Sequence, residues 1–381
     1  MTYCVGWKTE SAVYLVADSA VESDEAPRIQ RTSFGEKNAS LAGRQAGRHI
    51  QEEALKLYDL GTCAVTFSGS VSAGRRMIDL MRNKIADGED AMLAFETATQ
   101  ALDLKRKIKA LLAYTVGSKP RLAAFNENED GKIHWNTESA HIGSISDGFI
   151  ELTEKCISGI RSTPDVPPRR LVQTLALVQS YGIHRYLLEE GVGGCFSGLY
   201  VDQQGIHWQP DTLYLVTNPD LDQAGLVGSF ARRNVLCLFS SLCEAGKIVF
   251  ASPELNESGE LLRQRYTAIE RQVEQKHEEA NFDYVTVFNT AKHVAVTVEL
   301  LGHHAHELLI VEPHPETPRT TGIFWSPQLL AHLDTISEPA DYDGVPHDLC
   351  LKFFPYRPPP TTPSPEELEN LRRETLQSKK T

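Results

Sequence analysis

Short apolar runs dominate the first half of the chain. Residues 3–8 (YCVGWK) and 11–17 (SAVYLVA) read as two strands. Thr9-Glu10 between them has hairpin spacing but not the usual Asn-Gly turn chemistry. Residues 22–55 are polar and read as irregular. A second strand pair follows, LKLYDLG and TCAVTFSGS. Around 72–87 the period changes: Met77, Met81 and Ile85 recur every four positions with Ile78 beside them, which predicts an amphipathic helix. A second helix is predicted over about 90–113. Strands return in RLAAFNE, KIHWNTE and HIGSI, then a helix near 145–160. After the Pro-rich STPDVPP comes a long helix over about 167–189. GGCFSGLYVD and GIHWQ form a further strand pair. GKIHW (131–135) and GIHW (205–208) echo each other as closing strands of hairpins, not as a sequence repeat.

From about 211 the pattern starts afresh. TLYLVTN reads as a strand, 222–246 as helical, KIVFAS as a strand and 257–279 as a long charged helix. DYVTVFN, KHVAVTVEL and HELLIVEP then suggest a β-meander. Near 355 the composition shifts to PYRPPPTTPSP, a stiff extended linker. SPEE (364–367) is a capping box with proline at the first helical position, so a short charged terminal helix is expected, free to dock a partner. Helices segregated between blocks of antiparallel strands predict an α+β, layered architecture. The expected divisions are 1–216, a C-terminal α/β extension over 217–354, and a linker with the terminal helix over 355–381.

Composition narrows the function classes. The 381 residues are 41% hydrophobic and 23% charged, ordinary globular material. A net charge of −13 argues against a general nucleic-acid binder, because phosphate contacts need a basic surface. The cluster LKRKIK is therefore read as a solvated face. No apolar run is long enough to span a bilayer, and the N-terminus lacks the basic and apolar regions of a signal peptide. Seven cysteines without CxxC spacing fit free thiols in a reducing cytoplasm rather than a disulfide framework or a zinc site. GVGGCFSG follows a helix instead of a strand, so it fails the context of a phosphate-binding loop. GHHAHE (302–307) could set His304 and His306 on one face of a strand, but without Cys or an HExxH frame it reads as polar residues of a surface or hairpin and not as a metal site. No metal or cofactor is expected.

Thr2 is the first residue with chemistry of its own. Aminopeptidase removal of Met1 is permitted by a small second side chain, and would leave a threonine with a free α-amine. That amine has an ordinary pKa of about 7.7–8.0, so it can serve as base to the neighbouring hydroxyl. Alone, a Met-Thr start is an ordinary beginning and carries no function.

Its surroundings carry more. MTYCVGWKTESAVYLVADSA resembles the N-terminus of mature proteasome β-subunits, where a Thr opens the first strand and the second ends in Ala-Asp-Ser or Ala-Asp-Thr. The closest resemblance is to the bacterial ancestral β-subunit (Anbu) family, whose members begin in a similar Met-Thr-Tyr-Cys-Val way. LKLYDLGTCAVTFSGSVSAGRRMIDLMR, RLAAFNENEDGKIHW with HIGSISDG, and LLEEGVGGCFSGLYVDQQGIHW resemble later segments of the family, in the same order. The resemblance spans about 2–216. It implies the four-layer αββα sandwich of N-terminal-nucleophile hydrolases.

The resemblance also implies roles. Thr2 is matched to the nucleophile and Asp18 to the aspartate that orients a catalytic lysine. Lys56 is the preferred lysine because it precedes a strand. Lys37, closer to the family's distance from Asp18, is its rival. Gly69 is matched to the oxyanion-hole glycine, Ser144 to the serine that hydrogen-bonds the N-terminal amine, and Glu189 to an aspartate near the last helix. Val21, Phe67, Val71 and Arg75 would line the pocket for the residue before the cut, with an apolar wall and a cationic floor. There are departures: Glu189 is one methylene longer than the family's aspartate, Val192 replaces a serine, Ala20 replaces an arginine, and the 18–56 segment is long. Residues 217–381 have no counterpart. The implied activity is a cytoplasmic threonine peptidase or amidase acting on peptide or protein, self-associating, with no nucleic-acid or membrane partner. The alternatives are a catalytically weak assembly subunit and a small-molecule amidase on the same fold.

Overall fold

The computed structural model of the protein describes residues 2–23, 32–34, 49–101, 108–126, 131–184, 192–218, 223–243, 245–290, 294–313, 320–325 and 350–355. In chain order the elements begin with β1 (Tyr3–Lys8), β2 (Val13–Ala17), β3 (Ala20–Ser23), β4 (His49–Glu52), β5 (Leu57–Asp59) and β6 (Cys63–Gly69). Helices α1 (Val71–Ala86) and α2 (Ala91–Gln100) precede β7 (Ile108–Val116), β8 (Lys119–Asn126), β9 (Lys132–Trp135) and β10 (Ser139–Gly143). Helices α3 (Asp147–Arg161) and α4 (Pro167–His184) precede β11 (Ser197–Asp202), β12 (Gly205–Trp208), β13 (Thr212–Asn218), β14 (Gln223–Arg232), β15 (Val235–Ser240) and β16 (Lys247–Ala251). After α5 (Gly259–Glu278) come β17 (Tyr284–Asn289), β18 (Val294–Glu299), β19 (Leu309–Pro313), β20 (Thr320–Trp325) and β21 (Cys350–Pro355). The protein is thus a mixed α/β structure with several sheets.

Two five-stranded antiparallel sheets organise the first half, in the orders β10-β1-β2-β11-β12 and β5-β6-β7-β8-β9. Every residue of β1 and β2 is buried, because both faces of their sheet are covered. Cys4, Val13, Leu15 and Ala17 share one apolar cluster with Leu57, Ala64, Leu111, Ala113 and Leu122 of the other sheet. The opposite face, with Tyr3, Val5, Trp7, Tyr14 and Val16, packs on Phe149 and Leu152 of α3 and Leu171, Leu175 and Val178 of α4. On the second sheet, Val65, Phe67, Ala110 and Leu112 pack on Met77, Ile78 and Met81 of α1 and Phe95 of α2. Gly6 faces the other sheet. A Cβ there would sit 2.8 Å from Leu122 Cδ1, so its bare backbone sets how closely the sheets approach.

A seven-stranded sheet, ordered β16-β15-β14-β13-β17-β18-β21, makes up most of the rest. It is mixed: β13–β17 and β18–β21 are parallel, the other pairs antiparallel. One face packs with Val273 of α5 and Phe282. From the other face Tyr214, Leu236, Leu238, Ile248 and Phe250 join the cluster that lies between the two five-stranded sheets.

Several expectations fail for identifiable reasons. The helix predicted over 90–113 ends at Gln100, and Ile108–Val116 is β7. Ile108, Ala110, Leu112 and Tyr114 face the helices while Leu111 and Ala113 face the opposite sheet. A strand buried on both sides is a continuous apolar run, which periodicity cannot separate from a helix. Lys109 of LKRKIK accordingly lies in a strand, and residues 104–107 fall outside the described set. The helix expected over 222–246 is the β14–β15 hairpin. Its two-residue turn, Arg233-Asn234, has φ of +42° and +61°, the backbone of a type I′ hairpin turn made without glycine. The polar stretch 22–55 contains the paired strands β3 and β4. The expected meander stops at β18, since β19 pairs with β20 in a separate two-stranded sheet. The terminal helix after 364 and the end of the 167–189 helix lie outside the described residues.

Asn234 joins the seven-stranded sheet to the edge of its neighbour. Its Oδ1 accepts from Asp59 N at 2.8 Å and its Nδ2 donates to Asp59 O at 3.1 Å. The side chain is almost fully buried. Asn234→Ala should lower unfolding free energy by about 2–4 kcal/mol, from two lost hydrogen bonds and a left-handed backbone that alanine resists. Denaturant unfolding measures this; a change below about 0.5 kcal/mol would mean the clip contributes nothing.

Candidate active site

Asp18 directly follows β2 with no exposed surface, and three donors converge on it. Tyr3 N donates to Oδ1 at 3.1 Å, Gly193 N to Oδ2 at 3.0 Å, and Lys56 Nζ to Oδ1 at 2.7 Å. Lys56, 6% exposed, sits one residue before β5 and also donates to Ala20 O at 2.5 Å. The pair is therefore buried with both partners further hydrogen-bonded, the condition under which a buried ion pair is tolerated. Lys37, the rival lysine, lies outside the described residues.

Thr2 precedes β1 and is 8% exposed. Its carbonyl accepts from Ser144 N at 2.9 Å. Gly143, at φ +123°, presses on the same carbonyl: a Cβ there would lie 1.7 Å from Thr2 O. Ser144 thus meets Thr2 through its backbone N–H. Gly69 ends β6 at φ +100°, where only glycine is comfortable, and Ser70 caps α1 beside it. Glu189 and Met1 lie outside the described residues. Val192 is buried in the apolar cluster under α3 and α4.

Thr2, Lys56 and Gly69 border one cleft of about 530 Å³. Val21, Phe67, Val71 and Arg75 border it too. The Phe67 ring stacks on Tyr58 with centroids 5.8 Å apart and an interplanar angle of 16°. It lies so close over Gly74 of α1 that a Cβ there would clash, at 2.1 Å. Val71 and the exposed Arg75 stand one turn apart on α1, and Glu22 and Glu53 add acidic groups to the rim. One wall comes from far along the chain: Val249, Phe250 and Ala251 of the seven-stranded sheet, with Ser252 just after them.

Nucleophiles other than Thr2 fare poorly near the pair. Burial, with the Asp18 charge adding to it, pushes the Cys4 thiol up to about 12, and burial pushes Cys195 well above the ordinary thiol range. Neither supplies thiolate near neutral pH. The His-rich stretch lies elsewhere. It forms a short 3-10 turn in which His303 pairs with Glu307 at 3.2 Å and the His304 and His306 rings stack at 5.2 Å.

Sequence reasoning missed Glu52. It is fully buried at the end of β4 and takes Ser33 N at 2.8 Å, Ser33 Oγ at 2.7 Å, Ser19 Oγ at 3.2 Å, and Cys195 N. Gly194 (φ +71°) sits directly against its carboxyl group. Asp18 and Glu52 therefore grip the Gly193–Cys195 turn from both ends. The only sequence signal was a Glu four positions before Lys56 in a polar run without periodicity.

No family model matches the chain, and no curated protein matches it. Among solved structures, the chain is similar to an Anbu (Gly-1) mutant from Hyphomicrobium sp. strain MC1. The TM-score is 0.37 and the identity 13%, over 73% of this chain and 100% of that one. Among the described residues no helix is long and apolar enough to cross a membrane.

Burial pushes the Glu52 carboxyl up to about 7 from its ordinary 4.5, against four hydrogen bonds that favour the anion. Between those values the folded protein holds a proton that the unfolded chain has released. The stability this contributes is complete below 4.5 and is lost as pH rises through 7. Relative to Glu52→Gln, the parent should lose up to about 3 kcal/mol between pH 4.5 and 8. Denaturant titrations of both proteins across that range measure it; a pH-independent difference would show that the four donors keep Glu52 ionised throughout.

Proposed function

We propose that the chain is a threonine-type N-terminal-nucleophile hydrolase that cleaves peptide or amide bonds after Met1 is removed. One observation carries the reading. The buried Lys56–Asp18 pair is tied through Tyr3 N–H to the residue next to Thr2, and Thr2 and Lys56 open onto the same cleft. The helices packed outside two facing sheets support the four-layer αββα sandwich that this chemistry implies. In this reading the catalytic unit is residues 1–216, and the protein acts as a homo-oligomer.

The proposed chemistry follows from the groups in the cleft. Thr2 Oγ attacks the amide carbonyl carbon and its proton passes to the Thr2 α-amine. The Lys56 ammonium, held by Asp18 and Ala20 O, keeps that amine neutral through like-charge repulsion. Gly69 N–H receives the oxyanion of the tetrahedral intermediate. The C–N bond then breaks and the leaving amine takes the proton back from the Thr2 ammonium. Water, deprotonated by the same amine, attacks the ester carbon and frees the acid and Thr2 Oγ–H. Phe67 and Val71 offer an apolar wall to the side chain before the cut, and Arg75 a cation.

The assembly-subunit reading rests on Val192, whose buried side chain has no hydroxyl to give the site. Two measurements separate the readings. Intact mass of the purified chain should be lighter by one methionine. Thr2→Ala should lower turnover of peptide amides at least about 10³-fold, while Thr2→Ser keeps measurable activity. Retained Met1, or hydrolysis indifferent to Thr2→Ala, favours the assembly subunit.

A further inference from the structure

The cleft wall contributed by the seven-stranded sheet is a strand seen edge-on. Val249, Phe250, Ala251 and Ser252 are consecutive, and all four border the cleft. Neighbouring side chains of a strand point to opposite faces of its sheet. Here Phe250 joins the cluster shared with the five-stranded sheets, while Val249 and Ala251 pack toward α5. Consecutive residues with opposed side chains can line one cleft only if the backbone edge faces it. β16 is indeed the end strand of its sheet, with β15 on one side and no strand on the other among the described residues.

The phase of the β15–β16 ladder says which backbone groups face out. Ser252 N donates to Asn234 O at 2.8 Å and Ser240 N to Gly246 O at 2.8 Å, at the two ends of an unbroken antiparallel register. Hydrogen-bonded pairs alternate along such a ladder, so Leu236/Phe250 and Leu238/Ile248 are the bonded pairs between those ends. The N–H and C=O groups of Lys247, Val249 and Ala251 consequently point away from β15. Those of Val249 and Ala251 lie where the strand borders the cleft that contains Thr2.

This edge is also rigidly held. Arg265 is bidentate to Glu257 (2.7 and 2.8 Å) and donates to Ser252 O at 2.8 Å, fixing the end of β16. Asn234, which accepts Ser252 N through its carbonyl, is clipped by its side chain to Asp59 of β5. The strand is thus tied to the one that begins beside Lys56.

We propose that β16 is a substrate-binding strand: an extended polypeptide adds to its outer edge through the N–H and C=O groups of Val249 and Ala251 while its scissile carbonyl lies at Thr2. This deepens the hydrolase reading and rests on it. The substrate class is unfolded or extended peptide, several residues long, rather than small amides. Recognition falls largely on main chain, as in other β-strand additions. Binding an extended chain here needs no rearrangement of the sheet.

The test compares two reversible probes that add to a threonine Oγ: an acetyl-leucine boronate of one residue and an acetylated tetrapeptide boronate ending in leucine. The readout is the ratio of their affinities. In the parent protein the tetrapeptide should bind at least about tenfold more tightly, the worth of one or two backbone hydrogen bonds. Val249→Pro and Ala251→Pro each remove one outward N–H at an edge, where proline is tolerated. The ratio should fall toward one in at least one of them. N-methylation of successive amides of the tetrapeptide probes the same bonds on the unaltered protein, and one position should abolish the gain. A length gain that survives both proline variants and every N-methylation overturns the edge-binding inference and leaves the hydrolase reading standing, as does the absence of any gain. Failure of both boronates to bind the Met1-free protein overturns the hydrolase reading, and this inference with it.

Discussion

The Asp18 carboxylate is the constraint on which the rest of the site depends. An ion wholly removed from water must recover its hydration from protein donors, and each donor must be brought by a chain segment. Here Tyr3 N comes from β1, Lys56 from the start of β5, and Gly193 N from the turn ahead of β11. Lys56 in turn needs Ala20 O of β3. Residues 3, 56 and 193 are therefore gathered on one side chain, and Ala20 joins them through Lys56. Thr2, next to Tyr3, inherits its position from that arrangement and from the Ser144 N–H on its carbonyl.

Behind Asp18 stands a second buried carboxylate with a different solution. Among the described residues Glu52 has no cation within hydrogen-bond range, and two serines and two backbone amides satisfy it. Such an arrangement keeps a carboxylate buried but leaves its proton affinity high, as its displacement to about 7 indicates. The two carboxylates share the 193–195 turn, and Gly193 O accepts from Ser19 N and Ala20 N in return. Turn and strands thus exchange bonds in both directions.

Legibility in the sequence followed the nature of each signal. Strands β1 and β2, helices α1, α3 and α4, and the β11–β12 hairpin were readable from their apolar spacing. The proximity of Asp18 to a lysine was readable only through a family likeness, since nothing local links residue 18 to residue 56. Choosing Lys56 over Lys37 rested on its place before a strand; Lys56 contacts Asp18, and Lys37 lies outside the described residues. The β14–β15 hairpin was unreadable because Arg233-Asn234 adopts a left-handed turn without glycine, and apolar residues on both faces mask the alternation. Glu52 was unreadable for a deeper reason: its role exists only once Ser19, Ser33 and Cys195 are brought to it.

The clip at Asn234 has a metrical consequence. Asp59, where the seven-stranded sheet is fastened, lies three residues from Lys56, and Leu57 and Tyr58 between them belong to β5. A strand advances about 3.3 Å per residue and turns its side chains over at each step. The interval from 56 to 59 therefore acts as a gauge block between the Asp18 site and the seven-stranded sheet. Inserting or deleting a single residue within it would either carry the ammonium out of reach of Asp18 or turn it to the wrong face.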